Sequence, residues 1–266
     1  MKIEFYKYQG AGNDFVIIDD RLGEFPNINQ ALVQQLCDRH FGIGADGVIL
    51  LIEHNQYDFE MVYFNADGNL GSMCGNGARC VVHFANSLGI TDKETAFYAS
   101  DGEHFATIND DGTITLKMLV VEEINRFEAD YLVETGSPHY VKFVKDPTSV
   151  NVYAEGRTIR YSNTFAAHGI NVNFVSDRII DNLLLMRTYE RGVENETLAC
   201  GTGTVAVAMA ARVQMPELKD AETINIRALG GDLKVHFKSN GVWLQGEAKQ
   251  VFKGSVNIET KVENIS

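Results

Sequence analysis

The chain repeats itself, and each copy of the repeat carries a cysteine. MCGNGARCVVHFANSLG, from Met73, and ACGTGTVAVAMAARV, from Ala199, both run Cys-Gly-x-Gly into an apolar segment of helical length, with Cys74 and Cys200 126 residues apart. Downstream, ASDGEHFATINDDGTITLKM from Ala99 is echoed at an offset of 129 by ALGGDLKVHFKSNGVWLQGE from Ala228. Each reads as a glycine turn, an alternating strand, a second turn and another strand. Upstream, GNDFVIID from Gly12 resembles INVNFVSD from Ile170, at an offset of 158 that requires an insertion in the second copy. A period this long, well above the roughly 20–50 residues of solenoid repeats, points to two similar domains facing one another across a cleft. The expected halves are residues 1–119, joined by a C-terminal strand at 254–266, and residues 120–253.

Within the first half the pattern predicts strands at Ile3–Tyr8, Phe15–Asp19, Gly47–Ile52 and Tyr57–Phe64, and a helix from Asn29 to His40 closed by Gly42. The second half is expected to begin near Val120, with strands around Glu122 and His139, a helix near Asp146–Ile159 and a further strand from Gly169. Strands dominate and turns are short. The expected class is α+β: two pseudo-symmetric halves, each a mostly antiparallel curled sheet or barrel around a central apolar helix, with the site in the cleft between them.

Composition narrows the partners. The 266 residues are 45% hydrophobic and 22% charged, as in a globular chain with a sizeable core. A formal charge of −13 with no basic run repels a phosphate backbone, which excludes nucleic acid. No stretch of about 18 apolar residues offers a membrane span, and the N-terminus lacks a signal-like apolar core. The cysteines, at 37, 74, 80 and 200, are too few and too dispersed for a disulfide scaffold, and no CxxC pair suggests zinc. Reduced thiols in a cytoplasmic protein are expected, with no metal; a homodimer is left open.

A cysteine that precedes a Gly-x-Gly turn at a helix start sits where unpaired backbone N–H groups favour an anion. The helix end lowers a thiol pKa from about 8.5, although a dipole contribution of roughly 0.3–1 kcal/mol moves it by less than a unit. One such turn is ordinary, and cysteine is a common small core residue. Two, related by duplication, suit a reaction with two mirror-related directions: one thiolate removes a proton from a stereocentre and the other thiol returns one to the opposite face. With near-attack distances of about 3–3.5 Å on each side, the sulfurs would stand roughly 7 Å apart around the substrate carbon.

GAGNDFVIID, FNADGNLGSMCGNGARC and ERGVENETLACGTGT are similar to the signature blocks of the diaminopimelate epimerases, and with the matching length the resemblance covers nearly the whole chain. It implies interconversion of LL- and meso-2,6-diaminopimelate without pyridoxal phosphate or any other cofactor or metal, in lysine and peptidoglycan precursor biosynthesis. The resemblance makes Cys74 and Cys200 the two acid/base groups. Gly75, Asn76, Gly201 and Thr202 match the turns that hold the reacting carboxylate, and Asn13, Asn65 and Asn171 match substrate-contacting asparagines. Asn173 stands two residues from Asn171, so strand alternation leaves both on one face. Glu190 and Arg191 match the family's Glu-Arg pair, whose guanidinium offers a fork for a carboxylate. Glu190 and His139 are candidates for tuning the thiols and binding the amino group.

Three departures stand out. Ser137 replaces a frequent asparagine, Gly47 replaces a glutamine of some members, and ERGVENETLACG is one residue longer than usual. Cys37 and Cys80 read as core. Proline racemases and hydroxyproline epimerases also pair two cysteines, but carry histidine where this chain has Asn76 and lack the Glu-Arg anchor. Phenazine-type isomerases replace the cysteines altogether. From another class, the chain could be a thiol redox switch in which Cys74 and Cys200 form a disulfide.

Overall fold

The computed structural model describes residues 2–23, 25, 29–71, 73–119 and 123–258. Val120, Glu122 and the part of the expected C-terminal strand beyond 258 lie outside the described residues. Contacts divide the chain into two units: one of residues up to Gly10, Asp14–Phe105 and Ala248 onward, the other of Ala11–Asn13 and Ala106–Glu247.

The first unit opens with β1 (Lys2–Gly10) and β2 (Asn13–Asp19), followed by α1 (Gln30–Cys37), β3 (Gly47–Ile52), β4 (Phe59–Asn65), α2 (Gly75–Ser87), β5 (Glu94–Ala99) and β6 (Gly102–Ile108). β2 and β3 are parallel, β3 and β4 antiparallel, β4 and β5 parallel. Each parallel step carries a helix, because two parallel neighbours cannot be joined by a tight turn.

The second unit repeats that scheme. After β7 (Ile114–Lys117), β8 (Ile124–Phe127) and β9 (Asp130–Glu134) come β10 (Pro138–Val144), α3 (Val152–Arg160), β11 (Asn171–Ser176), β12 (Leu184–Glu190), β13 (Asn195–Thr197), α4 (Gly201–Gln214), β14 (Thr223–Ala228), β15 (Gly231–Lys238) and β16 (Gly241–Gly246). β10 and β11 are parallel, β11 and β12 antiparallel, β12 and β14 parallel, the same order as before. The hairpins expected from the glycine turns are present as β6–β7 and β14–β15–β16. Finally β17 (Lys249–Asn257) pairs antiparallel with β1. The fold is α+β and duplicated; of the curled sheet or barrel expected, it is the open sheet, with parallel ladders at every helical crossover.

The two cysteine helices are buried among the strands of their units, while α1 and α3 each cover a further apolar cluster. α4 is buried from Gly203 to Ala211 and packs on β9, β10, β11, β14, β15 and β16. Its run of Gly, Ala, Val and Thr lets strands approach from all sides, as a helix apolar all round requires. α2 buries Ala78, Cys80, Val81, Val82, Phe84 and Ala85 and packs on β1, β3, β4 and β17. Burying each larger apolar side chain contributes about 1.5–3 kcal/mol.

Two helix boundaries differ from the expectation. α1 ends at Cys37, not His40, because Asp38 turns extended and its carboxylate accepts from the amides of His40 and Phe41, both at 2.7 Å. α3 starts at Val152, not near Asp146. Asp146 instead caps a single 3₁₀ turn at Pro147–Ser149, and Asn151 caps the helix by accepting from the Ala154 amide at 3.0 Å.

Candidate active site

Both cysteines are N-caps of the helices that follow them. Cys74 precedes α2 and Cys200 precedes α4, with similar extended backbones (φ −102°, ψ 118° and φ −121°, ψ 115°), and neither side chain makes the N-capping hydrogen bond to a backbone amide. The first internal helix bonds run from the Ala78 amide to the Cys74 carbonyl (2.7 Å) and from the Thr204 amide to the Cys200 carbonyl (2.9 Å). Helix geometry points the intervening amides outward, where an anion is favoured.

Beneath the Cys74 turn lies a buried cation. Arg79, fully buried, donates to Asn76 Oδ1 (2.8 Å) and to the Gly75 carbonyl (3.3 Å). The Asn76 oxygen therefore faces the guanidinium and its NH₂ group faces away. Burial lowers the Arg79 pKa, and the nearby Cys80 and Cys74 sulfurs oppose that shift. Cys80 is fully buried, which pushes its thiol far above the ordinary range, and burial holds Cys37 at about 12. Both stay protonated core thiols. Cys74 is half-buried.

The Cys200 turn rests on threonine, histidine and asparagine side chains. Cys200 is 7% exposed, and its Sγ lies 3.5 Å from Thr202 Oγ1. Thr202 Oγ1 is 3.0 Å from His139 Nε2, and the Thr202 carbonyl accepts from Thr135 Oγ1 at 3.0 Å. His139 Nδ1 is 3.1 Å from Asn173 Nδ2. Burial, aided by the Arg191 charge, brings the His139 pKa down to about 3. The imidazole is therefore uncharged near neutral pH; it can act on a thiol through its hydrogen bonds and not through charge.

Asn171 makes three hydrogen bonds to protein, which leaves its side-chain oxygen one further acceptor position. Its NH₂ donates to Ser137 Oγ (2.8 Å) and the Pro138 carbonyl (3.2 Å), and its oxygen accepts from the Arg191 amide (2.9 Å). Here Asn171 braces the ends of β10, β11 and β12, and Ser137 supplies an oxygen for that brace. Arg191 follows Glu190, the last residue of β12, and donates to the His168 carbonyl at 3.1 Å. Asn65 ends β4, and its carbonyl accepts from the Gly68 amide at 2.8 Å. A Cβ at Gly71 would lie 3.2 Å from Asn65 Nδ2, so Asn65 sits against the segment leading to Cys74. Asn13 follows Gly12, which adopts φ +84° and whose Cβ, if present, would lie 2.7 Å from the Leu198 side chain, two residues before Cys200. Gly47 has no room for glutamine: a Cβ there would lie 2.5 Å from the Phe64 carbonyl oxygen.

Sequence reasoning did not single out Arg79, Thr135 or Thr188. Thr188 Oγ1 donates to Asn173 Oδ1 at 3.0 Å. For Arg79 a signal existed: an arginine inside a segment whose neighbours are all core. The threonines carry no such signal, since both read as ordinary strand residues.

The family model for diaminopimelate epimerase matches residues 5–122 and 131–258. The diaminopimelate epimerase of Flavobacterium psychrophilum is 47% identical over 259 residues, covering 96% of this chain and all of the relative. That of Chlorobaculum tepidum is 39% identical, covering 94% and 99%. The Bacillus anthracis phenazine biosynthesis protein of the PhzF family has the same fold at 14% identity, with a TM-score of 0.76 over 97% of this chain and 100% of that one. So does a probable proline racemase from Agrobacterium radiobacter, at 14% identity and a TM-score of 0.64 over 97% and 93%.

Proposed function

The chain belongs to the diaminopimelate epimerase family and is an isomerase, and from that premise we propose that Cys74 and Cys200 interconvert LL- and meso-2,6-diaminopimelate by two-base proton transfer. One thiolate takes the α-proton and becomes a thiol. The other thiol gives its proton to the opposite face of the same carbon and becomes the thiolate, so each turnover leaves the pair with its roles exchanged. The carbanion formed between the two steps spreads its charge into the α-carboxylate, which the turns at Gly75–Asn76 and Gly201–Thr202 would hold.

The observation that carries the reading is the pair of equivalent N-cap cysteines, each opening the central helix of a duplicated unit. A reaction that runs in both directions across one carbon is well served by two acid/base groups of like chemistry, and the duplication supplies them. Asn13, Asn65, Glu190 and Arg191 are the remaining substrate contacts in this reading, with Asn171 as a brace. A cytoplasmic location and the 1–119/120–253 division of the halves belong to the same reading. Retention of both cysteines and of Asn76 disfavours the proline-type and phenazine-type alternatives.

The test compares LL-diaminopimelate, L-proline and 4-hydroxyproline as substrates for the wild type, Cys74→Ser and Cys200→Ser. Epimerisation of diaminopimelate alone, lost in both variants, is expected. Turnover of proline, or full activity in either variant, would contradict it.

A further inference from the structure

The hydrogen bonds around His139 determine where its proton sits. Asn173 is fully buried, and its Nδ2 lies 3.1 Å from the Tyr140 carbonyl oxygen, an atom that only accepts. Its other terminal atom, Oδ1, accepts from Thr188 Oγ1. The Tyr140 carbonyl alone fixes the amide orientation, with NH₂ toward β10 and oxygen toward β12, and the Thr188 hydroxyl, able to donate or accept, donates to the oxygen so placed. One Nδ2 hydrogen goes to the Tyr140 carbonyl and the second goes to His139 Nδ1, which must therefore be the unprotonated ring nitrogen. A neutral imidazole then carries its proton on Nε2 and donates it to Thr202 Oγ1. With that donation received, the Thr202 hydroxyl has its own proton to give, and the Cys200 sulfur lies 3.5 Å away.

We propose that Asn173, held by Thr188, is a positioning residue: it fixes the His139 tautomer so that the Thr202 hydroxyl donates to Cys200 and favours its thiolate. The chain of donors runs Thr188 to Asn173 to His139 to Thr202 to Cys200, and every link lies within the second unit. Gly203 belongs to the same device, since a Cβ there would lie 2.5 Å from Asn173 Oδ1 and 3.3 Å from Cys200 Sγ. The depressed His139 pKa agrees with the geometry, because a ring that stayed protonated could not accept from Asn173. The inference deepens the role given above to Cys200 and rests on that reading for its catalytic meaning. The tautomer itself does not.

The first measurement is the imidazole ¹⁵N spectrum of the histidine-labelled full chain without substrate. A neutral His139 protonated on Nε2 is expected; a proton on Nδ1, or an imidazolium at neutral pH, overturns the proposal. The second is peptide-resolved alkylation of Cys200 and Cys74 by iodoacetamide at neutral pH. Thr202→Val removes the last donor, and Cys200 alkylation should slow about tenfold, the size of one pKa unit, while Thr202→Ser and the Cys74 rate stay near wild type. Asn173→Asp requires a proton on Nδ1, turns the Thr202 hydroxyl toward the ring, and should slow Cys200 to the same degree. If Asn173→Asp does not fold, the Thr202 pair decides alone. Cys200 alkylation at the wild-type rate in Thr202→Val contradicts the proposal. Because alkylation needs no substrate, its outcome is separable from the epimerisation reading, which fails only if Cys200→Ser turns over normally.

Discussion

The two cysteine turns share a backbone and differ in what stands behind them. At Cys74 the helix start rests on a buried guanidinium, Arg79, which also sets the orientation of Asn76. At Cys200 the corresponding support is a neutral chain of amide, imidazole and hydroxyl. Duplication has kept a cysteine at each N-cap, while the groups behind the two turns have diverged. The second glycine of Cys-Gly-x-Gly shows the same divergence. Gly77 makes room for Ile49, Met61 and Phe15, whereas Gly203 makes room for Asn173 and the Cys200 sulfur itself.

If the turns do equivalent chemical work, removing either thiol should cost the same. Cys74→Ser and Cys200→Ser are each expected to lower kcat by about 10²–10⁴-fold, the size of a general acid or base, measured as product formation from LL-diaminopimelate. A variant that retains near-full rate would break the equivalence. The supports should then separate. Arg79→Met removes the cation and leaves Asn76 free to turn, and a lost charged hydrogen bond of about 1.5–3 kcal/mol corresponds to roughly 10–100-fold in kcat/KM, with a lower Tm. Cys200 alkylation in that variant should be unchanged.

The two glycines sharpen the contrast. Gly77→Ala places a methyl 3.0 Å from Ile49 Cδ1, so it should cost about 1–3 kcal/mol of stability by overpacking and leave thiol reactivity alone. Gly203→Ala, whose methyl would lie 2.5 Å from Asn173 Oδ1, should lower Tm at least as much and, unlike Gly77→Ala, also change Cys200 alkylation. Acid sensitivity separates the two units as well. His139 titrates at about 3 when folded against an ordinary 6.5, so below 6.5 the unfolded chain takes up a proton that the native one refuses. Its contribution is complete above 6.5 and falls toward pH 3, by at most about 1.4 kcal/mol per unit. In the first unit, burial raises the Asp14 carboxyl but Arg39 and Lys7 outweigh it and hold it at about 2, so loss there begins only below 3.8. Relative to the intrinsic exchange rate, which itself slows as pH falls, amide protection between pH 6 and 4 should therefore drop in β10 and β11 before it drops in β2 and β3.

The amino-acid sequence made the cysteine turns legible because Cys-Gly-x-Gly is contiguous and occurs twice. The central position of α4 was legible too, since a run such as TVAVAMAA has no polar face to show to water. What escaped was set by partners distant in the chain. His139 meets Thr202 and Asn173 only when β10 lies beside β11 and the start of α4, and no local pattern ties those positions together. Arg79 was different: its partners Gly75 and Asn76 are local, and an arginine within an apolar helical segment was the available signal. The early end of α1 turned on the Asp38 side chain, which competes for backbone amides in a way that apolar periodicity does not register.

If two bases act on one carbon, solvent deuterium enters the product and spares the substrate. LL-diaminopimelate is converted in D₂O to low extent, and substrate and product are separated and weighed by mass spectrometry. Deuterium at the inverted carbon of the meso product, with unlabelled residual substrate, is the predicted result. Equal label in both, or a product that keeps the original proton, would mean that a single group removes and returns it, and would contradict the account.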